Sequence, residues 1–183
     1  MTTVISGPGS QLSQKLFGHY ELLERLGAGG MGEVFKAHDP KMDRIVALKV
    51  LNKQLAQDQR FVERFKREIK ATGALNHPHI VTAFGAGDVN GQLYLAVEFV
   101  EGQTLHQLVK RRGKLPEQEA LSIIRGVVEG LQHAHDNGFI HRDVKPDNVL
   151  LGKDGRVKLA DLGLAKSVED DQRLTRTGVA IGT

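Results

Sequence analysis

The chain has 183 residues, of which 40% are hydrophobic and 26% charged, so it holds enough apolar material for the core of one domain or of two small lobes. Its 25 basic and 22 acidic residues nearly balance at a net charge of +3, which is too even to indicate a nucleic-acid or membrane partner, and no nucleic-acid partner is expected. The sequence has no cysteine, which excludes disulfides and thiolate metal sites and suits a cytoplasmic location, and it has no run of about 18 apolar residues that could span a membrane.

The first residues, 1–18, are expected to form a flexible tail, because they carry neither the basic start nor the long apolar run of a signal peptide. From Tyr20 onward, short apolar segments alternate with the turn sequences GAGGMG and HDPKMD, a pattern that predicts three strands. Apolar residues then recur at helical spacing from Phe61 to Ile69, and two more strands flank the turn sequence DVNG. Residues 20–98 are therefore predicted to fold as β-β-β-α-β-β.

A long helix is predicted over PEQEALSIIRGVVEGLQHAHDNG, which starts at Pro116 and ends at Asn137-Gly138. Its expected buried stripe consists of Leu121, Ile124, Val127 or Val128, Leu131 and Ala134. The basic run KRRGK before this helix is interpreted as the solvated end of another helix. A polar loop, HRDVKPDN, and two short strands, VLLG and RVKLA, follow. The second half is thus expected to start as helices, with residues 98–102 as the hinge between the halves.

Gly27, Gly29 and Gly32 give the glycine-rich stretch the spacing G-x-G-x-x-G, which is a weak signal on its own. A dinucleotide-binding fingerprint would be followed by a helix, but the sequence EVFKAHDP that follows has the pattern of a strand. A Walker A loop would end in Gly-Lys-Ser or Gly-Lys-Thr, whereas Glu33 and Val34 stand there. The stretch is therefore interpreted as a strand-turn-strand flap whose backbone N–H groups can approach phosphate oxygens.

Lys49 lies within the apolar strand RIVALKV, where an ammonium group is unfavourable unless it is paired or reaches solvent. An exposed strand face is one interpretation of this lysine. Strand alternation puts it on the same face as Ile45 and Ala47, however, and these residues could line a pocket. Its acidic partner is expected on the next helix, where Glu63 and Glu68 are the candidates. Glu68 lies closer to the buried stripe, and its ion pair with Lys49 would fix the ammonium group towards a phosphate.

The loop HRDVKPDN is almost entirely polar, although apolar segments flank it. An ordinary surface loop is one interpretation, but each residue type also suits a task in phosphoryl transfer. Asp143 can accept a hydroxyl proton, Lys145 can neutralise charge on the moving phosphoryl group, and Asn148 can ligate Mg²⁺ through its amide oxygen. Asp161, at the end of a later strand, offers a carboxylate that can ligate Mg²⁺ bridging two phosphates.

In this order and spacing, the motifs resemble those of the eukaryotic-type protein kinases, in a style similar to the bacterial serine/threonine kinases. The matching segments are LGAGGMGEVFKA, VALKV, RFKREI, HPHIV, VEFVEG, HRDVKPDN and DLG, which run from about Tyr20 to the end of the chain. The resemblance implies an α+β, two-lobed fold with ATP in the cleft between the lobes. Residues 19–97 would form an N-lobe of five strands and one helix, 98–102 the hinge, and 103–183 a partial, mainly helical C-lobe.

The resemblance also implies roles for individual residues. Asp143 would be the catalytic base, assisted by Lys145 and by the pair of Lys49 with Glu68. The implied magnesium ligands are Asn148 and Asp161. The residues implied in nucleotide binding are Leu26, Gly27, Ala28, Gly29, Gly30, Gly32, Val34, Ala47, Lys49, Val97, Glu98, Val100 and Leu150. Within this set the glycines would cover the phosphates, Lys49 would hold two of them, the apolar side chains would enclose the adenine, and the backbone of Glu98 and Val100 would hydrogen-bond it.

Two residues depart from the family's usual pattern, and three more concern its regulation. Leu162 stands where phenylalanine is commoner, and Thr72 stands where a packed apolar residue is usual, which is expected to loosen the helix that carries it. Arg142 would pair with a phosphate on the activation segment, and the candidate sites of self-phosphorylation are Thr175 and Thr177.

The last two residues, Gly182 and Thr183, match the Gly-Thr that opens the family's peptide-binding stretch, so a kinase domain cut inside its activation segment is expected. Two functions follow from the resemblance. The first is transfer of the γ-phosphoryl group of ATP to serine or threonine hydroxyls of a protein substrate, with Mg²⁺ as the metal and Mn²⁺ as an ion that fits the same groups. The alternative is an inactive ATP-binding fragment or regulatory binding module.

Overall fold

The computed structural model describes residues 15–29, 32–161 and 166–167. The first half of the chain forms an antiparallel six-stranded sheet with the order β1-β2-β3-β4-β6-β5. Its strands are β1 (Lys15–Phe17), β2 (Tyr20–Gly29), β3 (Gly32–Asp39), β4 (Arg44–Leu51), β5 (Ala83–Val89) and β6 (Gln92–Glu98). The predicted order of strands and helix in this half is confirmed, and β4 lies inside the sheet between β3 and β6.

The sheet has one strand more than the five predicted. Lys15, Leu16 and Phe17 pair with the start of β2 and lie within the stretch that the sequence assigned to the tail. Phe17 packs edge-on against Tyr94 of β6, with ring centroids 5.8 Å apart, and this contact fixes the strand to the sheet. The sequence did not show it, because three residues are too few for a strand pattern.

Alternation along β4 sends successive side chains to opposite faces of the sheet, as expected. Val46, Leu48 and Val50 are buried in one apolar cluster on one face. Lys49 points to the opposite face, where Leu51 packs in a second cluster with Phe65 of the following helix. The central strand therefore carries Lys49 directly to the face that the helix covers.

Helix α1 (Gln59–Ala74) begins at Asp58, whose side chain accepts a hydrogen bond from the backbone N–H of Arg60. Its buried side chains are Phe65, Glu68, Ala71 and Thr72, whose spacing puts them on one helical face. Because Phe65 and Ala71 on the same face pack in apolar clusters, Glu68 is held in a fixed position beside the sheet.

The second half contains a helix of eight residues, a helix of 20 residues and several short strands. Its elements are β7 (Gly102–Thr104), α2 (Leu105–Arg112), α3 (Glu117–Asp136), β8 (Phe139–Ile140), β9 (Val149–Gly152), β10 (Val157–Leu159) and β11 (Lys166–Ser167). Strands β10, β9 and β7 form one small sheet, and β11 pairs with β8. Residues 99–101 join the two halves between β6 and β7. In the described ranges, no helix is both long and apolar enough to cross a membrane.

The buried face of α3 differs from the predicted stripe. Of the predicted stripe, Leu121 and Ile124 are more than half exposed, and so is Val128, which was the alternative to Val127. The face that packs on β10 is instead built on small residues and a few apolar ones. The buried residues are Ile123, Gly126, Gly130 and Ala134, with Val127 and Leu131 packed beside them. The predicted stripe was correct for Val127, Leu131 and Ala134 and wrong for Leu121 and Ile124. The helix has two apolar faces, and the glycines that mark the buried one carry no hydrophobic signal.

Candidate active site

A cleft of about 810 Å³ lies between the six-stranded sheet with α1 on one side and the segments 102–107 and 143–161 on the other. The cleft brings together most of the residues proposed for nucleotide, metal and catalysis. Those that line it are Leu26, Gly32, Val34, Ala47, Lys49, Glu68, Val97, Glu98, Val100, Asp143, Lys145, Asn148, Leu150 and Asp161. Its size is in the range of small-molecule sites, and polar groups converge at one end of an otherwise apolar lining.

The glycine-rich stretch is only partly within this lining. Gly27 and Ala28, near the end of β2, do not line the cleft, and Gly30 lies outside the described residues. Gly32 does line the cleft, and the packing of the sheet also requires a glycine at this position. A Cβ at this position would be 2.0 Å from the carbonyl oxygen of Val50, so only glycine lets β3 approach β4 there. A Cβ on Gly27 would meet nothing within 4 Å, so its surroundings are open.

The geometry of Lys49 is the central feature of the polar end. Its Nζ atom donates hydrogen bonds of 2.6 and 2.8 Å to the two carboxylate oxygens of Glu68. The side chains of Lys49 and Glu68 are only 17% and 4% exposed, so the pair is shielded from water. Glu68, rather than the exposed Glu63, is thus the partner of this lysine in the structure.

Lys49 also donates a hydrogen bond of 3.1 Å to Oδ1 of Asp161, a contact that the sequence did not indicate. Burial lowers the pKa of Lys49, but the carboxylates of Glu68 and Asp161 raise it by more, so the pKa lies above its ordinary value. The ammonium group is therefore charged at neutral pH. One cation links the sheet, α1 and the end of β10, and these three elements converge on the cleft.

The polar loop forms a compact network around Asp143. Lys145 donates a hydrogen bond of 2.8 Å to Oδ2 of Asp143, and the side-chain amide of Asn148 donates one of 3.2 Å to the same oxygen. The amide also donates one of 2.9 Å to the backbone carbonyl of Asp143. The hydrogen bond from Lys145, with help from Asn148, holds the pKa of Asp143 below its ordinary value. The carboxylate is thus ionised and able to accept a proton.

His141 is a buried residue that holds the backbone of this loop in place, and it was not singled out from the sequence. It is 2% exposed, its Nε2 lies 3.2 Å from the carbonyl oxygen of Ala160, and its Nδ1 accepts a 3.4 Å hydrogen bond from the backbone N–H of Asp143. Burial holds the pKa of His141 below its ordinary value, so the ring is neutral and its Nε2 carries the proton. The ring ties the backbone beside Asp161 to that of Asp143.

Two residues of the site hold left-handed backbone conformations. Arg142 has φ +62° and Asp161 has φ +61°, values that side chains other than glycine seldom adopt. Each such residue costs about 1–3 kcal/mol and persists only where its surroundings fix it. The hydrogen bonds of His141 to the residues next to both positions supply part of that constraint.

Asn148 and Asp161 have the chemistry expected of ligands for a hard cation. The amide nitrogen of Asn148 is bound to Asp143, which leaves the carbonyl oxygen of the side chain to face a cation. Asp161 contributes a carboxylate that is 44% exposed towards the cleft. Mg²⁺ is commonly held by one or two such protein oxygens together with phosphate oxygens of a substrate. The two residues therefore fit the implied metal.

A second buried ion pair lies next to the hinge and was also missed from the sequence. Lys158 of β10 donates hydrogen bonds of 2.7 Å to Glu98 of β6 and 3.2 Å to the carbonyl oxygen of Ile80. Glu98 accepts a further 3.0 Å hydrogen bond from the backbone N–H of Thr82. Burial raises the pKa of Glu98, but the hydrogen bonds from Lys158 and Thr82 lower it below its ordinary value. The pair joins both halves of the protein at the floor of the cleft.

Replacing Lys158 with Met is expected to destabilise the protein by up to about 3–5 kcal/mol, because Glu98 would remain buried with only the exposed Arg156, 3.9 Å away, as a cationic neighbour. Urea unfolding measures this loss. The double variant Lys158→Met with Glu98→Gln should recover part of the stability, since no buried charge remains. Lys153→Met is the matched control, because Lys153 pairs with Glu101 at 2.6 Å on the surface, and it should cost less than about 1 kcal/mol. Equal losses in Lys158→Met and Lys153→Met would contradict this account.

The cleft extends beyond the predicted set of residues in two directions. Behind the Lys49–Glu68 pair its additional lining residues are Phe61, Arg64, Thr72 and Val81, and near the hinge they are Phe99, Gly102, Gln103, Thr104 and Gln107. The sequence pattern assigned the first group to a helix or to the core, and it gave no signal for the second group. Thr104 and Gln107 have a local role of their own, as the capping box of α2, which hides their position at the cleft. Leu162, Thr175, Thr177, Gly182 and Thr183 lie outside the described residues.

Comparison with known families now identifies the class of the protein. The family model described as the protein kinase domain matches residues 20–182, which is most of the chain. The chain therefore belongs to the protein kinase family. The two-lobed α+β fold that the sequence predicted is the fold of this family.

Bacterial serine/threonine-protein kinases are among the relatives of the chain. The chain is 40% identical over 183 residues to serine/threonine-protein kinase PknD of Mycobacterium tuberculosis, covering 100% of this chain and 27% of PknD. It is 36% identical over 172 residues to PrkC of Bacillus subtilis, covering 94% of this chain and 26% of PrkC. The kinase domain of M. tuberculosis PknI superimposes with a TM-score of 0.73 at 39% identity, covering 84% of this chain and 63% of that one. The chain thus spans about a quarter of the length of these curated relatives.

Proposed function

We propose that this chain binds ATP in the cleft and transfers its γ-phosphoryl group to serine or threonine hydroxyls of a protein substrate. The observation that carries the proposal is the contact of one buried ammonium group, that of Lys49, with both Glu68 and Asp161. A cation fixed from two sides at the polar end of an apolar cleft is suited to hold phosphates. The names of the relatives, all serine/threonine-protein kinases, support the same reaction.

The apolar part of the cleft would hold the adenine. Val34 and Ala47 lie on the sheet side and Leu150 on the opposite side, so a flat ring could be enclosed between them. Glu98 is held by Lys158 and by two hydrogen bonds with Thr82, one through its side chain and one through its backbone N–H. These contacts hold the backbone of Glu98 in place, which supports the proposal that the backbone from Glu98 to Val100 hydrogen-bonds the base.

Phosphoryl transfer would take place at the polar end. Asp143, ionised and oriented by Asn148, would accept the proton of the attacking hydroxyl, and Lys145 would offset the charge on the transferred group. Asn148 and Asp161 would hold Mg²⁺, which neutralises phosphate charge, and Mn²⁺ fits the same oxygen ligands. The polar contacts among Asp143, Lys145 and Asn148 are already formed, so little reorganisation is needed when the substrate binds.

Three finer points remain predictions within this proposal. The preference for serine and threonine rests on Lys145, which stands two residues after Asp143 as in the serine/threonine branch of the family. Self-phosphorylation is proposed at Thr175 or Thr177. A cytoplasmic location is proposed from the absence of cysteine.

A binding experiment tests the nucleotide site directly. Ala47→Phe should abolish ATP binding in isothermal titration, because the ring would fill the space assigned to the adenine. Ile45→Phe is the matched control, since Ile45 lies two residues earlier on the same strand, is 38% exposed, and is not part of the cleft lining. Unchanged ATP affinity in Ala47→Phe would show that the nucleotide does not bind here. ATP binding without any transfer would favour the alternative of a regulatory nucleotide-binding module.

A further inference from the structure

Three histidines meet where the loop after α1 packs on α3. The rings of His77 and His133 are stacked, with centroids 4.8 Å apart and planes inclined by 22°. The ring of His79 lies 5.7 Å from that of His77, and its Nε2 is 3.2 Å from Glu129 of α3. We refer to His77, His79 and His133 as the histidine cluster.

The loop packs closely on two glycines of α3, through its backbone at one point and through the His79 ring at the other. Helical spacing puts Gly126, Gly130 and His133 on one face of α3. A Cβ on Gly130 would be 2.8 Å from the backbone oxygen of His79, and one on Gly126 would be 3.0 Å from its ring. Because backbone and helix are this close, a change in the charge of the cluster acts directly on the contact between them.

The same loop is also bound to β10. His79 Nδ1 lies 2.8 Å from the carbonyl oxygen of Val157, and the backbone oxygen of His79 accepts a 2.8 Å hydrogen bond from Leu159. Val81 donates a 3.0 Å hydrogen bond to the carbonyl oxygen of Leu159. Since α1, which carries Glu68, ends at Ala74 just before this loop, the loop connects α1 to the second half of the protein.

The hydrogen bonding of His77 requires its neutral form. The backbone N–H of His79 donates a 3.2 Å hydrogen bond to Nδ1 of His77, which must therefore present a lone pair. The titratable and charged groups that face His77 are His133 and Glu129 on α3, His79 in its own loop, and Lys158 on β10. Of these, only Glu129 would attract an imidazolium. Burial, followed by His133 and His79, holds the pKa of His77 below its ordinary value.

We propose that the histidine cluster is an acid-sensitive joint, in which protonation of His77 breaks its hydrogen bond with His79, separates the stacked rings and releases the loop from α3. Release of the loop would loosen the end of α1 and, through it, the position of Glu68. The proposal goes beyond the proposed function and does not depend on it, because its readouts are stability and hydrogen exchange.

The direction of the pH dependence follows from the preference for neutral His77. The unfolded chain takes up a proton near the ordinary value of 6.5, whereas the folded protein resists protonation until a lower pH. Below pH 6.5 the unfolded state therefore binds more protons. The stability supplied by the cluster is complete above this pH and is lost as the pH falls through the lower folded value.

The test compares His77→Asn with the wild type. Asparagine keeps an oxygen that can accept the hydrogen bond from His79 but does not titrate. Melting temperatures are measured from about pH 7.5 to about pH 5.5, a range in which histidine changes charge. The wild type is expected to lose a few degrees more than His77→Asn over this range. His135→Asn, at an exposed position of the last turn of α3, is the matched control and should behave like the wild type.

Histidines that do not contact His77, including the buried His141, contribute equally to His77→Asn and the wild type, so their effects cancel in the comparison. The coupled titration of His79 and His133 is part of the effect that is measured. Identical pH dependence in the two proteins would overturn the proposal. Hydrogen exchange in the wild type gives an independent readout that needs no variant to fold. Protection of the Val81 amide, corrected for the intrinsic effect of pH, should fall below pH 6.5 while that of central α3 amides persists. Unchanged protection at Val81 would also overturn the proposal.

Discussion

Asp143→Asn is expected to lower the rate of phosphoryl transfer by about 10²–10⁴-fold, the usual contribution of a general base. The amide has nearly the same shape as the carboxylate and can still receive hydrogen bonds from Lys145 and Asn148, but it cannot accept the proton of the attacking hydroxyl. Affinity for ATP should change little. The measurement is the initial rate of phosphate transfer to a serine-rich protein such as casein, together with ATP affinity for each variant.

Asp136→Asn serves as the matched control for this substitution. Asp136 is exposed at the end of α3, away from the cleft, and its carboxylate accepts a hydrogen bond from the side chain of Gln132. Its transfer rate should equal that of the wild type. A rate for Asp143→Asn close to that of the control would show that the proton is accepted by another group. A loss of ATP affinity in Asp143→Asn would instead indicate a role in binding.

Lys49→Met is expected to reduce transfer by about 10²–10³-fold, the effect of removing one preorganised group that stabilises the developing charge. Unlike Asp143→Asn, it should also destabilise the protein, by about 3–5 kcal/mol, because Glu68 would keep a buried carboxylate without its partner. Both effects have one cause, the loss of the ammonium group that contacts Glu68 and Asp161. Transfer rate and urea unfolding are therefore measured on the same sample.

The double variant Lys49→Met with Glu68→Gln separates the two effects of this substitution. Removing both charges should restore part of the stability but none of the transfer. Lys53→Met, at an exposed position just after β4, is the control for loss of a lysine and should change neither quantity. Full transfer by Lys49→Met would contradict the assignment of this lysine to the phosphates.

The pair of Lys49 with Glu68 could be predicted from the sequence because two regular periods determine it. Alternation in β4 fixes the face of Lys49, and helical spacing in α1 fixes the face of Glu68. In each element, neighbouring apolar residues define the buried face, so a charged residue on that face is easy to recognise. Lys49 and Glu68 are the charged residues on the two faces that pack against each other.

The pair of Lys158 with Glu98 has similar geometry but could not be predicted in this way. Alternation in β10 would put Lys158 on the face opposite Val157 and Leu159, a position that normally faces water. In the structure all three residues are buried, because β10 lies between α3 and the end of β6. Its partner is 60 residues away along the chain, and no local pattern joins the two.

Glycine positions show the same limit. The spacing of Gly27, Gly29 and Gly32 suggested contact with phosphates, but the close approach of Gly32 to Val50 is a property of the strand pair that only coordinates reveal. On α3, Gly126 and Gly130 mark the buried face together with Ala134, whereas Leu121 and Ile124 of the predicted stripe are exposed. The pattern of large apolar residues in the sequence thus predicted where the strands and helices lie. How closely these elements pack depends on contacts of small residues, which the pattern does not show.

The most direct test of the central claim, that these residues form a working phosphoryl-transfer site, is the intact mass of the purified chain after incubation with ATP and Mg²⁺. Asp143→Asn is treated in parallel. We expect added phosphate on the wild type and none on Asp143→Asn, with the modified residue mapped by peptide sequencing to Thr175 or Thr177. An unchanged mass in a wild-type chain that binds ATP, or equal phosphate on both proteins, would contradict the claim.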